Sequence, residues 1–291
     1  MAQLYDQISQ NKMKSYLYIA FFVLLIYVLA YVFGIMTGFG EGITAIAILL
    51  AVVMTVGTYY YSDKIVLSTV GARVAEKKEF PYLYNTVEGL AIAAGIPMPR
   101  LFVIDNDAIN AFATGRDPKN AIIVVNTGAI KKLNRQELEG VIAHEMSHIK
   151  NYDIRMMMLA AVMVGAIAII SDIMLRSGFR GGGGGKKGGG AILIVGLVLA
   201  ILSPIFAKLV QLAISRNREY LADASGALLT RYPEGLASAL SKIKNDSTNM
   251  PNVSEAIAPL FISNPLNKRF LGNLFSTHPP LDDRIAILRK M

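Results

Sequence analysis

The sequence predicts a mainly α-helical integral membrane protein that also contains a smaller α+β part built from two polar chain segments. Of its 291 residues, 53% are hydrophobic and 17% are charged, and the mean hydropathy is +0.44, a balance that soluble domains do not have. The apolar residues are also concentrated in a few long segments. The polar stretches between these segments are long enough to form a small soluble domain.

Two apolar segments near the N-terminus predict transmembrane helices. Residues 15–36 and 42–62 contain no charged side chain, and each segment can cross about 30 Å of hydrocarbon as a helix. The first apolar run is longer than that of a signal peptide, and no small-residue cleavage site follows it before the second. We therefore expect the first segment to be retained as a membrane helix.

Two later apolar segments are weaker candidates for membrane spans. Asp172 interrupts the segment at residues 156–175, and Pro204 lies within the segment at residues 191–214. Between them, residues 181–190 hold eight glycines, which predict a flexible connection. The two segments form either two full spans or a re-entrant hairpin, and the prediction is about four transmembrane helices in total.

Charge and residue usage exclude several classes of function. The net charge is +8 at pH 7, but Lys and Arg flank the apolar segments, where they meet anionic lipid headgroups, so no nucleic acid is expected as a partner. Without cysteine the chain has no disulfide, thiolate metal ligand or thiol nucleophile. Any chemistry must come from other side chains or from a cofactor, and the chain has only three histidines.

The first polar segment, residues 63–155, predicts helix and strand. Apolar residues recur at helical spacing in residues 79–94. Residues 100–104 and 121–125 are β-branched runs bounded by Pro, Asp, Asn and Gly, which is typical of strands.

The second polar segment, residues 215–291, is predicted to be helical and rich in loops. Helices are expected over residues 216–229 and 233–244, followed by a proline-rich stretch and a short terminal helix. The predicted order is two transmembrane helices in residues 1–62, the first polar segment, two apolar segments in residues 156–214, and this second polar segment.

A helix in the first polar segment carries a zinc-binding motif. Asn134 followed by Glu137 predicts an N-cap with its capping-box partner, and the helix that they begin contains the sequence His-Glu-Met-Ser-His. Residues i and i+4 project from one helix face, so the imidazoles of His144 and His148 can bind one Zn²⁺. Glu145 can accept a proton from water and pass it to a leaving amine. The alternative, an accidental pair of helix histidines, is disfavoured by the helical context.

A third zinc ligand has two candidates. Asn151 and Ile154 stand where a metzincin would have glycine and a third histidine, which excludes that arrangement. His278 is followed by two prolines, which place it in a loop. Glu219 fits better, because Glu219 and Asp223 share one face of a predicted helix, so Glu219 can bind zinc while Asp223 accepts a hydrogen bond from a ligand histidine. The alternative for this pair is a solvated helix face.

These features resemble the HtpX family of bacterial membrane zinc metalloproteases and, more distantly, the CAAX prenyl proteases. The shared motifs include Asn-Ala-Phe-Ala-Thr-Gly at residues 110–115, Arg-x-Arg-Glu-x-x-Ala-Asp at residues 216–223, and Thr-His-Pro-Pro-x-x-x-Arg at residues 277–284. The resemblance covers nearly the whole chain. It implies a zincin-like α+β catalytic domain assembled from the two polar segments, beside the transmembrane helices.

The same resemblance implies a role for each site residue. It gives one zinc ion per chain, held by His144, His148 and Glu219, with Glu145 as the catalytic base. The remaining matches are His278 and Arg284, placed to stabilise an oxyanion, and Asn110 and Ala111, placed to hold the backbone of a substrate as an added strand. The alternatives are a structural loop histidine at 278 and an ordinary turn at 110–111.

The function expected from the sequence is a membrane-bound zinc endopeptidase that degrades misfolded or damaged membrane proteins. Its partners would be polypeptide substrates and the lipid bilayer. The alternative is a non-catalytic membrane metal-binding or scaffold protein, and Glu145 discriminates between the two because only hydrolysis needs a general base. A zinc transporter is disfavoured because both motif histidines precede the apolar segment that follows them.

Charge also predicts the orientation in the membrane. Lys12 and Lys14 precede the first apolar segment, the loop at residues 37–41 has no Lys or Arg, and Lys64 and Arg73 follow the second segment. The positive-inside rule then places the active site on the cytoplasmic side of the bacterial inner membrane, in a multi-pass protein. Four basic residues between the third and fourth apolar segments oppose this rule if those segments span fully.

Overall fold

The structure, a computed structural model, describes most of the two polar parts of the chain. The described residues are 59–159, 216–250, 253–254, 256–265 and 278–291, with single residues among 9–57, 171–176 and 194–201. The chain divides into two compact units. The first comprises Met1–Asn11, Asp63–Met158 and Gln211–Met291, and the second comprises Lys12–Ser62 and Leu159–Val210.

A four-stranded sheet lies in the first unit. Helix α1 (Pro81–Ala94) follows strand β1 (Arg73–Val74), and strands β2 (Arg100–Ile104), β3 (Ala111–Thr114) and β4 (Ile122–Asn126) follow the helix. The strand order is β1-β2-β4-β3, in which β2 and β4 are parallel and the two outer strands are antiparallel to their neighbours. β3 therefore forms one edge of the sheet.

The sequence predicts the two central strands and not the two outer ones. The expected strands at residues 100–104 and 121–125 correspond to β2 and β4, with β4 displaced by one residue. β1 has only two residues, both exposed, and all four residues of β3 are buried. Neither outer strand has the alternation of apolar and polar residues by which a half-buried strand is recognised.

Among the residues that the structure describes in the first unit, five α-helices with defined bounds follow the sheet. They are α2 (Thr127–Lys132), α3 (Arg135–Lys150), α4 (Arg216–Thr230), α5 (Pro233–Asn245) and α6 (Leu281–Leu288). The last four confirm the helices that periodicity and capping signals predict. The short helix α2 has no counterpart among the predicted elements.

Helix α3 is central to the first unit. Its predicted capping box is present, because the side chain of Asn134 accepts the N–H of Glu137 at 2.9 Å and the Glu137 carboxylate accepts the N–H of Asn134 at 2.7 Å. Two glycines allow close approach: a Cβ on Gly140 would lie 2.6 Å from a backbone nitrogen of α5, and a Cβ on Gly226 would lie 3.0 Å from the backbone nitrogen of His144. Helices α4 and α5 therefore pack directly on α3.

In the second unit, the single residues that the structure describes are all helical, and the rings of Tyr27 and Tyr31 stack with centroids 6.2 Å apart. Most of the four predicted apolar segments lie outside the described residues. Within the part of the chain that is described, no helix has the length and apolarity that crossing a membrane requires.

Candidate active site and metal centre

Three buried side chains converge between helices α3 and α4. His144 and His148 come from α3 and Glu219 from α4, with exposed fractions of 1%, 5% and 0%. The Nε2 atoms of the two histidines are 3.1 Å apart, and they lie 3.8 Å and 3.5 Å, respectively, from the nearer carboxylate oxygen of Glu219. These ligand atoms all lie within 4.8 Å of one another, so the three residues can hold one metal ion.

The donor set of this cluster fits zinc. Ligand atoms of one tetrahedral zinc ion lie about 3.3–3.4 Å apart, close to the three distances between His144, His148 and Glu219. Two imidazoles and one carboxylate are also a donor set of catalytic zinc sites, which leave the fourth position open. The i, i+4 spacing accounts for the two histidines, whereas Glu219 joins them because α4 packs on α3.

Asp223 lies beside the Nδ1 atom of His144. It lies one turn after Glu219 on α4, and its Oδ1 is 2.9 Å from His144 Nδ1. Arg284 of α6, which is fully buried, donates to both Asp223 oxygens at 2.8 Å and 2.7 Å. Burial acts to raise the pKa of Asp223, but the charge and hydrogen bonds of Arg284 outweigh it and lower that pKa. Because Nδ1 faces a carboxylate, Nε2 of His144 is available to a metal.

Asp153 lies in the same way beside the Nδ1 atom of His148. It is not among the site residues that the sequence predicts. Its Oδ2 is 3.1 Å from His148 Nδ1. The chain turns back to this position through Tyr152, whose φ of 60° lies in the left-handed region. Burial acts to lower the pKa of His148, but the hydrogen bond to Asp153 and the charge of Glu219 outweigh it and raise the pKa to about 9. The available signal was an acidic residue just after the end of the motif helix.

Glu145 is buried beside the three-residue cluster, with 2% of its surface exposed. Burial raises its pKa to about 7, although the charge of His148 and the backbone N–H of Ala113 in β3 act in the opposite direction. A carboxyl group of this pKa can both accept and release a proton near neutral pH. The contact with Ala113 also places the outer strand of the sheet next to this group.

His278 and Arg284, which come late in the sequence, both lie against Glu219. His278 Nδ1 is 2.8 Å and Arg284 Nη1 is 3.3 Å from Glu219 Oε2. Burial acts to raise the pKa of Glu219, but the charges of His278 and Arg284 hold it well below its ordinary value. Glu219 is therefore an ionised carboxylate, the form that binds a metal.

Asn110 and Ala111 lie where β3 begins. Asn110 Nδ2 donates to the carbonyl oxygen of Ser263 at 2.9 Å, and the carbonyl oxygen of Ala111 accepts the N–H of Ile262 at 2.9 Å. The edge of β3 thus bonds to a chain segment outside the sheet at Ala111, and it contacts Glu145 through Ala113.

The fold and the site together define a zincin-type zinc hydrolase. Two imidazoles and a carboxylate form the donor set, a buried glutamate of raised pKa lies beside them, and the outer strand of a mixed sheet borders that glutamate. Each of these features is typical of an enzyme that activates water at zinc.

Comparison with known proteins identifies the family. Residues 77–291 match peptidase family M48. A protein named "Protease HtpX homolog" from Dictyoglomus thermophilum is 48% identical over 287 residues, which cover 99% of this chain and 94% of that protein. Another of the same name from Caldanaerobacter subterraneus subsp. tengcongensis is 45% identical over 296 residues, covering 99% and 98%. The chain belongs to peptidase family M48 and is a zinc metalloprotease.

A solved structure supports the fold. The crystal structure of S. mikatae Ste24p matches 99% of this chain and 67% of its own, with a TM-score of 0.51 and 20% sequence identity. The family and the enzyme class that the sequence motifs imply are thus confirmed, and the non-catalytic alternative is not favoured.

Proposed function

We propose that this metalloprotease is a membrane-bound endopeptidase of misfolded or damaged membrane proteins, with zinc held by His144, His148 and Glu219 and with Glu145 as the base. The position of Glu145 carries the proposal. It is a buried carboxyl group of raised pKa beside both the metal cluster and the outer strand. A site that only stored or transported metal would have no need of a general base there.

In the proposed mechanism, side chains of this protein transfer the proton and orient the histidines that would bind the metal. Zinc, when bound, polarises the scissile carbonyl and acidifies water. Glu145 accepts a proton from the attacking water and returns it to the leaving amine, which its pKa of about 7 permits. Asp153 and Asp223 engage the Nδ1 atoms of the ligand histidines and so direct their Nε2 atoms to the metal.

His278 and Arg284 lie together on one side of the proposed site. Arg284 is bound to Asp223 and lies 3.3 Å from Glu219, so its charge is fixed in place. His278 lies against the same Glu219 oxygen at 2.8 Å. We assign to these two residues the stabilisation of negative charge that develops on the substrate carbonyl oxygen.

The outer strand β3 is the proposed binding edge for the substrate. The carbonyl oxygen of Ala111 shows that backbone groups of this edge face away from the sheet; there it accepts the N–H of Ile262, so a substrate strand would replace that contact or pair beyond it. Pairing of backbone with backbone tolerates many side chains. Such recognition suits an enzyme that degrades misfolded proteins, because these proteins have exposed segments of extended backbone in common.

The proposed organisation has two N-terminal membrane helices in residues 1–62, two further apolar segments in residues 156–214, and a catalytic domain built from residues 63–155 and 215–291. The apolar composition of the segments and the basic residues that flank the first two support this arrangement in a bacterial inner membrane, with the active site facing the cytoplasm.

A cleavage assay tests the proposed activity. The purified, zinc-loaded protein is incubated with one membrane protein, either unfolded or folded, with and without a chelator. We expect cleavage of the unfolded form, loss of cleavage with chelator, and recovery when zinc is added back. Cleavage that persists with chelator would contradict the zinc mechanism, and equal cleavage of the folded form would contradict the substrate class.

Thiol labelling tests the topology. A cysteine placed at Gly184 in this cysteine-free chain should react with a membrane-impermeant thiol reagent added to spheroplasts, if the third and fourth segments span fully. Labelling only after permeabilisation would instead indicate a hairpin that does not reach the far side.

A further inference from the structure

The N-terminal segment contributes one buried side chain to the metal centre. We propose that Asn11 is a positioning residue for the metal ligand His148, acting through Asp153. Asn11 has only 4% of its surface exposed. It is the last residue of the N-terminal piece of the first unit, and the second unit begins at residue 12.

Asn11 is held by partners on both sides of its amide. Its Nδ2 donates to the carbonyl oxygen of Asn151 and to Asp153 Oδ1, each at 2.8 Å. Arg218 Nη2 donates to its Oδ1 at 2.6 Å. Asn151 and Asp153 follow the end of α3, and Arg218 lies in the first turn of α4. One amide side chain therefore connects the two chain segments that carry the three metal ligands.

Asp153 transmits this connection to the metal ligand. Its Oδ1 accepts from Asn11 at 2.8 Å, while its Oδ2 is 3.1 Å from His148 Nδ1. With one oxygen fixed by Asn11, the other is held in the plane and direction that His148 requires. The orientation and basicity of a ligand imidazole depend on the carboxylate behind it, and loss of such a partner typically costs about 10–100-fold in metal affinity.

Among the described residues, the other ligand histidine is supported by a residue of α6 and not by the N-terminal segment. The carboxylate behind His144 is Asp223, which is fixed by two hydrogen bonds from the buried Arg284. Asp153 also has an arginine nearby, but Arg218 Nε is 3.7 Å away, which is too long for a hydrogen bond. Asn11 therefore supplies for Asp153 the direct donor that Arg284 supplies for Asp223.

Two substitutions at Asn11 separate its N–H donor from its packing. Asn11→Ala removes the side chain, whereas Asn11→Asp keeps the shape and the contact with Arg218 but replaces the donor by an oxygen facing Asp153. We expect each to weaken zinc binding by about tenfold, the lower end of the range, because the effect passes through Asp153. Each should also change the visible absorption of the Co²⁺-substituted protein, which reports ligand geometry.

Asn126→Ala is the matched control. Asn126 is a fully buried asparagine whose Nδ2 donates to the carbonyl oxygen of Ala108 at 3.2 Å, outside the metal cluster. This variant should lower the Tm while leaving zinc affinity and the Co²⁺ spectrum unchanged. The full-length protein in detergent is used throughout, and zinc affinity is measured by competition with a chelator.

The outcomes are distinct. Unchanged zinc affinity and an unchanged Co²⁺ spectrum in both Asn11 variants would overturn the inference, as would a fall in Tm that is equal with and without zinc. If a variant does not fold without metal, its zinc-dependent recovery of structure gives the affinity instead. The inference rests on the proposed ligand set; failure of the unaltered protein to bind zinc would refute that set itself, whereas normal zinc binding by the Asn11 variants refutes only the role of Asn11.

Discussion

Helix α3 carries two glutamates that have the same low solvent exposure and opposite surroundings. Glu137 lies in its first turn and Glu145 in the zinc motif, and each has 2% of its surface exposed. The Glu137 carboxylate accepts hydrogen bonds from Lys242 at 2.6 Å, from Ser238 at 2.7 Å and from the N–H of Asn134 at 2.7 Å. Burial acts to raise its pKa, but these donors outweigh burial and lower it.

Glu145 lies deeper in the protein than Glu137, so its charge is more strongly desolvated, and it has fewer compensating donors. Burial raises its pKa to about 7, against the opposing charge of His148 and the N–H of Ala113. The comparison teaches that low solvent exposure alone does not define a catalytic acid or base. A carboxylate whose donors are complete stabilises the fold, and one whose donors are incomplete exchanges a proton near neutral pH.

The largest expected effect is on the rate of cleavage, when the carboxylate of Glu145 is removed. Glu145→Gln should lower the rate of peptide cleavage by about three to four orders of magnitude, because it removes the base and leaves the proposed ligands in place. Zinc content and Tm should stay at the level of the unaltered protein. Cleavage near the normal rate would contradict the role of Glu145, and Glu137→Gln, assayed well below its Tm, is the control that should keep its activity.

Glu219 extends the comparison to a third buried glutamate, whose charge is compensated by Arg284 and the surrounding histidines. Glu219→Ala should weaken zinc binding by more than about 100-fold, because it removes a ligand and not an outer partner. His278→Ala should retain zinc and lower turnover by about 100-fold. Metal analysis of both purified variants decides the assignment: zinc lost from the His278 variant and kept in the Glu219 variant would mean that the two roles are exchanged.

A smaller effect, on stability, is expected when Glu137 is changed, because its carboxylate accepts three hydrogen bonds. Glu137→Gln should reduce the free energy of unfolding by about 1–3 kcal/mol, because its amide group must face at least one of the three donors. Thermal unfolding in detergent measures the change. Glu139→Gln, at a partly exposed position of the same helix, should stay within about 0.5 kcal/mol of the unaltered protein. Equal stability of the two variants would show that the donors around Glu137 contribute nothing.

The smallest expected effect is the change with pH in the contribution of Glu137 to stability. The pKa of Glu137 is lowered from 4.5 in the folded state, so its contribution to stability is fully present above about pH 4.5 and is lost as the pH falls through the lowered value. The difference in Tm between the unaltered protein and Glu137→Gln should therefore shrink in acid. The measurement is made with chelator present, so that release of zinc does not contribute. A difference that stays constant down to pH 3 would contradict this account.

The local parts of the site could be predicted from the sequence. The i, i+4 spacing places His144 and His148 on one face of any helix, and the capping box that begins this helix depends only on residues three apart. The pairing of Glu219 with Asp223 on one helix face is of the same kind. Strands β2 and β4 are also visible in the sequence because each is a short, mostly apolar run that contains β-branched residues and is bounded by turn-forming residues.

Only the tertiary structure decided which of these groups meet and what charge they carry. Arg284 and Asn11 reach the cluster of His144, His148 and Glu219 through contacts between distant parts of the chain, which no local pattern records. Asp153 is close to His148 in the sequence, but the turn through Tyr152 is what brings its carboxylate back to the imidazole. The raised pKa of Glu145 and the lowered pKa of Glu137 likewise depend on the burial and the donors that packing supplies. The sequence by itself determined the ligand types and their spacing, because helix geometry is local. The packing of α4 and α5 on α3, and of α6 on α4 and α5, determined their electrostatics, because desolvation and hydrogen bonding are properties of the assembled site.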